Sequence, residues 1–301
     1  MMAFIHGGVR HAGTFIRAAK TPLTSRYPGR NWMKTAAALL VATSLPAAAE
    51  TRYVSPSGLH VAPFTNWVEA ATNIQSAIDV SNPGDVVVVT NGVYVLESTV
   101  RVTNQVTLVS RSGRDTVMLD GSALPAGQDA VFLMFGTLDG FTISNAPRHG
   151  IKSEYGAIYN SLITHAGQNG IDSYTTPRIV ADSTLIVTNT IVRKSGQIGI
   201  STCAVDTRIS NCVITESGDA GVSLRQNDTT GGPIQIPRVS NFLIRASTIV
   251  SNRNSGISLA FANFDESLPD VPVRVEKCII EYNAGVRGGG IADGGGFTAN
   301  R

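Results

Sequence analysis

The sequence predicts an all-β fold built as a solenoid of stacked coils and preceded by a short α-helix. Three observations carry this. A branched aliphatic residue followed seven positions later by glycine recurs five times, as Ile143 with Gly150, Ile163 with Gly170, Val192 with Gly199, Ile214 with Gly221 and Ile249 with Gly256. The chain is 43% hydrophobic but only 6% aromatic and 15% charged, so its apolar share lies in small and branched aliphatic side chains, as sheets prefer. Its 30 glycines follow no Gly-X-Y period, which excludes collagen.

In chain order, the first element is a leader. Of the 24 basic residues, six (Arg10, Arg17, Lys20, Arg26, Arg30, Lys34) precede residue 50, where no acid occurs; residues 50–301 carry 18 basic and 22 acidic residues, net −4. Lys34, the apolar run Ala36 to Leu45 and Pro46-Ala47-Ala48-Ala49 read as a secretory signal cleaved after Ala49. The run is too short to span a bilayer, so no transmembrane anchor is expected and the mature protein is exported, to the periplasm, cell surface or medium. Residues 1–32 are either an over-long start, since Met33 precedes Lys34, or a long basic n-region. Nothing beyond residue 50 clusters Lys and Arg as nucleic-acid binding requires.

Residues 50–301 form one predicted domain. From Asn66 to Asp79, Val68, Ala71, Ile74 and Ile78 follow a helical period, and Ser81-Asn82-Pro83-Gly84-Asp85 then breaks the pattern ahead of a strand at Val86 to Val89. A helix here covers the apolar core and unpaired edge at the end of an open solenoid.

The repeats follow at intervals of 20, 29, 22, 35 and 31 residues, with a sixth, longer copy running from Ile280 to Gly290-Ile291. A constant core with variable spacers is the pattern of stacked turns with unequal loops. Two residues before each branched residue stand Phe141, Ser161, Thr190, Cys212, Ser247 and Cys278, mostly small and on the same face by strand alternation. One residue earlier, Asn160, Asn189 and Asn211 are placed at a bend to hydrogen-bond along the stack. The glycine suits a bend that needs either positive φ or close backbone approach. Leucine-rich and helical repeats lack their required spacings here, and an antiparallel sandwich remains the alternative. Three cysteines (Cys203, Cys212, Cys278) cannot complete a disulfide framework and are expected as buried thiols; Cys212 and Cys278 fall two layers, about 9.5 Å, apart.

The stretch Thr72-Asn73-Ile74-Gln75-Ser76-Ala77-Ile78-Asp79, through Gly84-Asp85-Val86-Val87-Val88 to Gly92-Val93-Tyr94, resembles the N-terminal cap of right-handed parallel β-helix proteins of the pectin-lyase-like superfamily. Asn211-Cys212-Val213-Ile214 with Gly221-Val222 is similar to that family's repeat, and the resemblance spans about residues 53 to 301. It implies the fold and leaves the activity open, because members include lyases and hydrolases of acidic polysaccharides, tailspikes and adhesins. Ca2+ is implied by the resemblance only; the histidines (His60, His149, His165) have no metal-ligand spacing, and no metal is assigned from the residues. The family's polygalacturonase set and the acidic cluster and arginine of its pectate lyases have no counterpart here. Gly288-Gly289-Gly290-Ile291 with Phe297-Thr298-Ala299-Asn300 is similar to the paired motifs of chlamydial polymorphic outer-membrane adhesins, with glycine where their alanine stands.

Recognition on such a scaffold needs clustered charge on an outer face. One residue past the Gly-aliphatic step lie Lys152, Asp172, Ser201, Ser223 and Ser258, so Lys152 and Asp172 should be vertical neighbours, as a surface ion pair or as weak candidates for a catalytic pair. A second column, Asn145, His165, Lys194, Glu216, Ser251 and Tyr282, reads as a base and cation group or as a solvated face. The insert from Arg225 to Arg238 contains Asp228, and that from Phe261 to Pro272 contains Asp265, Glu266 and Asp270. With Ser173 to Arg178, they should wall a groove over the Lys152 column. The expected partner is an extracellular polysaccharide, bound or cleaved by a lyase or hydrolase; the alternative is a noncatalytic adhesin-type module. With no cap after Arg301, the open end is expected to belong to a longer chain or to be completed by association.

Overall fold

The computed structural model describes residues 48–173, 184–226, 241–261, 273–285 and 289–293. Residues 1–47 of the leader therefore lie outside the described residues. The chain winds as a parallel β-helix of three faces, each coil from Val86 onward giving one strand to each face and pairing in parallel with its neighbouring coils. The first sheet runs from Thr51–Val54, Val86–Val89 and Thr107–Ser110 to Asn241–Arg245 and Val273–Glu276. The second starts at Val100–Val102 and continues through Ile171–Ser173, Ile200–Thr202, Val222–Gln226 and Ile257–Phe261 to Ile291–Asp293. The third holds Gly92–Val95, Val117–Asp120 and the branched-residue strands from Thr142–Ser144 to Ile279–Glu281. The long strands Val131–Asp139 and Ile151–Tyr159 turn the corner between the second and first sheets, with a bulge around Met134.

The repeat register is the one the sequence predicts. Ile143, Ile163, Val192, Ile214, Ile249 and Ile280 are successive Cα partners on the third sheet, and all but Ile280 are fully buried. Ile151, Ile171, Ile200, Val222 and Ile257 form a second inward column, and Leu108, Leu138, Ile158, Val187, Ile209 and Ile244 a third. Each such side chain contributes about 1.5–3 kcal/mol by leaving water. The columns converge on one continuous apolar core.

Of the two readings of the repeated glycine, close approach is the one realised. A Cβ on Gly199 would stand 2.5 Å from both Ile214 Cγ2 and the carbonyl oxygen of Gly221, one coil on. Gly150 and Gly221 meet Ile163 and Ile249 in the same way. Positive φ falls instead on the asparagine column, at 51° for Asn160 and Asn189 and 52° for Asn211, a conformation asparagine tolerates. The asparagines do link along the stack: Asn189 Nδ2 donates to Asn160 Oδ1, and Asn160 Nδ2 to Asp139 Oδ1, each at 2.7 Å. In the small column, Ser161, Thr190 and Ser247 donate to the carbonyl two residues back. Each also accepts a backbone N–H of the preceding coil. All three thiols are free; Cys212 is buried, its pKa pushed up to about 11 by burial, while Cys203 and Cys278 are half-buried.

The helix is shorter than its periodicity suggests. It spans Ile74–Asp79, with the Asn73 side chain accepting the Ser76 N–H at 2.8 Å as N-cap, and buries Ile74, Ala77 and Ile78 against the first coil. It does not begin near Asn66, because the Ala71 backbone pairs with the edge of the first strand: Ala71 N–H donates to Tyr53 and Ser55 N–H donates to Ala71. Val68 is consequently 67% exposed. Beneath this cap lies a buried ion pair absent from the sequence reading, Arg52 with Asp85 at 3.2 Å. Burial raises the Asp85 pKa, but N–H donors from Asn82 and Glu50 and the charge of Arg52 more than offset it, so the carboxyl sits below its ordinary value. Among the described residues, no helix is long and apolar enough to cross a membrane.

Gly199→Ala should destabilise by roughly 1–3 kcal/mol in urea unfolding through overpacking, whereas Gly290→Ala, with nothing within 4 Å of the added carbon, should be close to neutral; equal effects would contradict the stacking role. Asp85→Ala leaves Arg52 with the Glu50 carboxylate at 2.8 Å and the Pro63 carbonyl, and should destabilise by roughly 1–3 kcal/mol through loss of the buried charge-assisted hydrogen bond. The wild-type pair should contribute fully above the ordinary Asp pKa and lose its contribution as pH falls through the depressed folded value, read as loss of amide exchange protection in residues 51–89.

Candidate functional site

On the second sheet, the side chains between the inward columns point outward, and their register sets one file: Arg101, Phe132, Lys152, Asp172, Ser201, Ser223 and Ser258. The file starts cationic and aromatic, with the Arg101 guanidinium 4.3 Å from the Phe132 ring centroid. It passes through the Lys152–Asp172 pair and ends in hydroxyls. Outward side chains on an open sheet face water, yet Asp172, Ser201 and Ser223 are only 6%, 3% and 3% exposed. These side chains are therefore recessed below the outer surface rather than standing on it.

Lys152 and Asp172 are vertical neighbours, as the repeat predicts, with Nζ 2.5 Å from Oδ2. The surface-pair reading is corrected by their burial: the side chains are 14% and 8% exposed. Two further residues belong to the group. Asn169 Nδ2 donates to Asp172 Oδ1 at 2.8 Å, and His149 Nε2 lies 3.8 Å from Asp172 Oδ2. The sequence reading missed both, although each sits directly before a repeat glycine, Gly150 or Gly170, and hence in one file at the edge of the recess. The Asn169 backbone N–H donates to His149 Nδ1, so the neutral ring carries its proton on Nε2, toward Asp172. The His149 backbone N–H in turn donates to Asp129 Oδ1.

The electrostatics follow from this geometry. Burial raises the Asp172 pKa, but the hydrogen bond and charge of Lys152, the nearby imidazole and the Asn169 amide overcome it, leaving the carboxyl below its ordinary value. Burial pushes the His149 pKa down, against the opposing pull of Asp172 and Asp129. At neutral pH the group therefore holds an ionised carboxylate and a neutral imidazole beside the Lys152 side chain. Beside it, Phe135 and Tyr155 stack at 4.5 Å at the bulged corner, Phe135 being 46% exposed with φ of 59°.

Of the other predicted groove residues, Arg225 is exposed on the outward face of its strand, two layers beyond Asp172. Asp228, Arg238, Asp265, Glu266 and Asp270 lie outside the described residues. The points from which the inserts depart are described: residues 174–183, 227–240 and 262–272 each follow a second-sheet strand and precede a first-sheet strand. The second column, Asn145, His165, Lys194, Glu216, Ser251 and Tyr282, is exposed at turns with φ between 53° and 58°, in keeping with the solvated-face reading. Among the described residues, no three His, Cys, Asp or Glu side chains are grouped to hold a metal ion.

The parallel coils agree with a family comparison: the family model described as right handed beta helix region matches residues 128–300. The chain belongs to this family. Solved structures similar to it include the pectate lyase Pel9A, 11% identical with a TM-score of 0.49 over 81% of this chain and 80% of that one. A rhamnogalacturonan lyase is 14% identical, with a TM-score of 0.42 over 71% and 73% of the two chains. Escherichia coli YbhC is 14% identical, with a TM-score of 0.44 over 78% and 72%. No curated protein sequence matches the chain.

Asp172→Asn should lower the His149 pKa further, because the carboxylate that favours the imidazolium is removed, and NMR titration of the imidazole resonances checks this. An unchanged titration would show the two side chains uncoupled. For both groups the unfolded chain binds protons first as pH falls, so wild-type stability should decline from the ordinary His range downward and again below the ordinary Asp range.

Proposed function

We propose that this exported β-helix protein binds an extracellular polysaccharide along the second-sheet recess, with Phe132, Lys152 and Asp172 as contact residues. The observation that carries the reading is the burial of an outward file of charge and hydroxyls directly beside the wholly aliphatic inward file of Val131, Ile151, Ile171, Ile200, Val222 and Ile257. Recessed polar groups beside aromatic faces match the needs of a sugar chain, which offers hydroxyls to the polar groups and C–H faces to the rings.

The protonation states favour recognition over turnover. A general base works best with a pKa near the operating pH, and both Asp172 and His149 are displaced below their ordinary values. Lys152, paired to Asp172, is a poor neutraliser of a second carboxylate. The noncatalytic surface module is therefore preferred to a lyase or hydrolase.

Affinity electrophoresis against acidic and neutral polysaccharides should reveal binding, with no release of unsaturated products or reducing ends. Replacing Phe132 by Ala, on the half-exposed part of the file, should weaken retention about tenfold with a stability change under about 2 kcal/mol. A double Lys152→Ala, Asp172→Ala variant should also lose retention, and should be less stable than the wild type because the pair is buried. Retention by neither the wild type nor any variant, or turnover of any polymer, would overturn the reading.

A further inference from the structure

Away from the second-sheet recess, the corner between the first and third sheets opens into a cleft of about 700 Å³ in the N-terminal coils. Its walls come from three consecutive coils: Ser55 and Ser57, then Thr90 and Asn91, then Arg111 and Ser112. The strands ahead of these corners are in register, Val54 pairing with Val89 and Val89 with Ser110, so the lining groups are stacked at the spacing of the helix. Apart from Pro56, every lining side chain carries a hydroxyl, an amide or a guanidinium, and none is a carboxylate.

Arg111 is the focus of the cleft. Its guanidinium lies 5.0 Å from the Trp67 ring centroid, and Trp67 packs on Tyr53 at 4.3 Å. Among the described residues it has no acidic partner within ion-pair distance. A guanidinium set over an indole is held in place while its edge donors remain open, the arrangement that suits a carboxylate taken by two parallel hydrogen bonds. The hydroxyl-rich walls and the volume exceed what a bare small anion uses. They match a ligand that carries several hydroxyls together with one negative charge.

We propose that this cleft binds a carboxylated saccharide, the Arg111 guanidinium taking the carboxylate and the Ser55, Thr90, Asn91 and Ser112 side chains taking ring hydroxyls. The site is separate from the second-sheet recess and does not depend on it. Trp67 acts as a positioning residue for Arg111.

The test is an NMR titration of the purified protein with trigalacturonate, following the backbone amides of residues 55–58, 90–92 and 111–113. Saturable shifts there are expected. Arg111→Gln should weaken them about tenfold or more, the loss expected when a charge-assisted contact is removed. Arg111→Lys should recover little of that loss, because a point charge does not replace the fork. Galactotriose, with the same hydroxyls and no carboxylate, should bind at least about tenfold more weakly, and acetate should not reproduce the shifts. The double Lys152→Ala, Asp172→Ala variant should keep them, which separates this site from the recess. Absence of shifts in the wild type, unchanged affinity in Arg111→Gln, or equal shifts with acetate would each overturn the proposal.

Discussion

The constraint on which the rest depends is the near-contact of one coil's glycine with the next coil's branched side chain. Where Gly199 faces Ile214 and the Gly221 carbonyl, no room exists for a Cβ. This fixes which residue of one coil sits above which of the next. Because side chains alternate with a period of two, a slip of one residue would turn every inward aliphatic outward. The aliphatic files, the asparagine ladder and the outward polar file are consequences of that single register, repeated.

A rigid register has a chemical consequence. Side chains from consecutive coils are brought within a strand spacing of each other whatever the length of the segments between them, so Lys152 and Asp172 meet as neighbours although 20 residues apart. Breaking such a buried pair is costly, yet replacing it by apolar groups is often neutral or better, so its presence is weakly explained by stability. Asn169 holds one carboxylate oxygen, Lys152 the other, and His149 is fixed by the Asn169 backbone. Such cross-bracing holds the buried charges in one fixed arrangement.

The fold was legible because its determinants are local and repeated: a seven-step spacing and a small residue two positions before it are visible in any one coil. The vertical pairing of Lys152 with Asp172 was legible for the same reason. What could not be read was environment. Alternation marks Asp172 and Ser201 as outward, and burial of an outward side chain depends on neighbours outside the repeat. The helix start was misplaced because Val68 and Ala71 fit a helical period while the Ala71 backbone is taken by the strand edge at Tyr53 and Ser55. Arg52 and Asp85 carry no sequence signal, since a buried arginine looks like an exposed one. Arg111 and Trp67 are 44 residues apart and belong to no repeated column.

The bulged corner explains where the recess starts. In the coils that contain Val131–Asp139 and Ile151–Tyr159, the second sheet runs directly into the first, leaving no loop between them. Holding the turn places Phe135 in the left-handed region, a conformation that bulky residues avoid and that costs of the order of 1–3 kcal/mol. Part of that cost is offset by stacking on Tyr155, yet nearly half of the ring stays in water, so packing alone is a weak reason for an aromatic there. From Ser173 onward, the same corner is where three coils admit inserted residues. The closed corner and the insert-bearing corner meet at the layer of Lys152 and Asp172. An aromatic stack at one margin of that layer and hydroxyls along the rest give the face a direction.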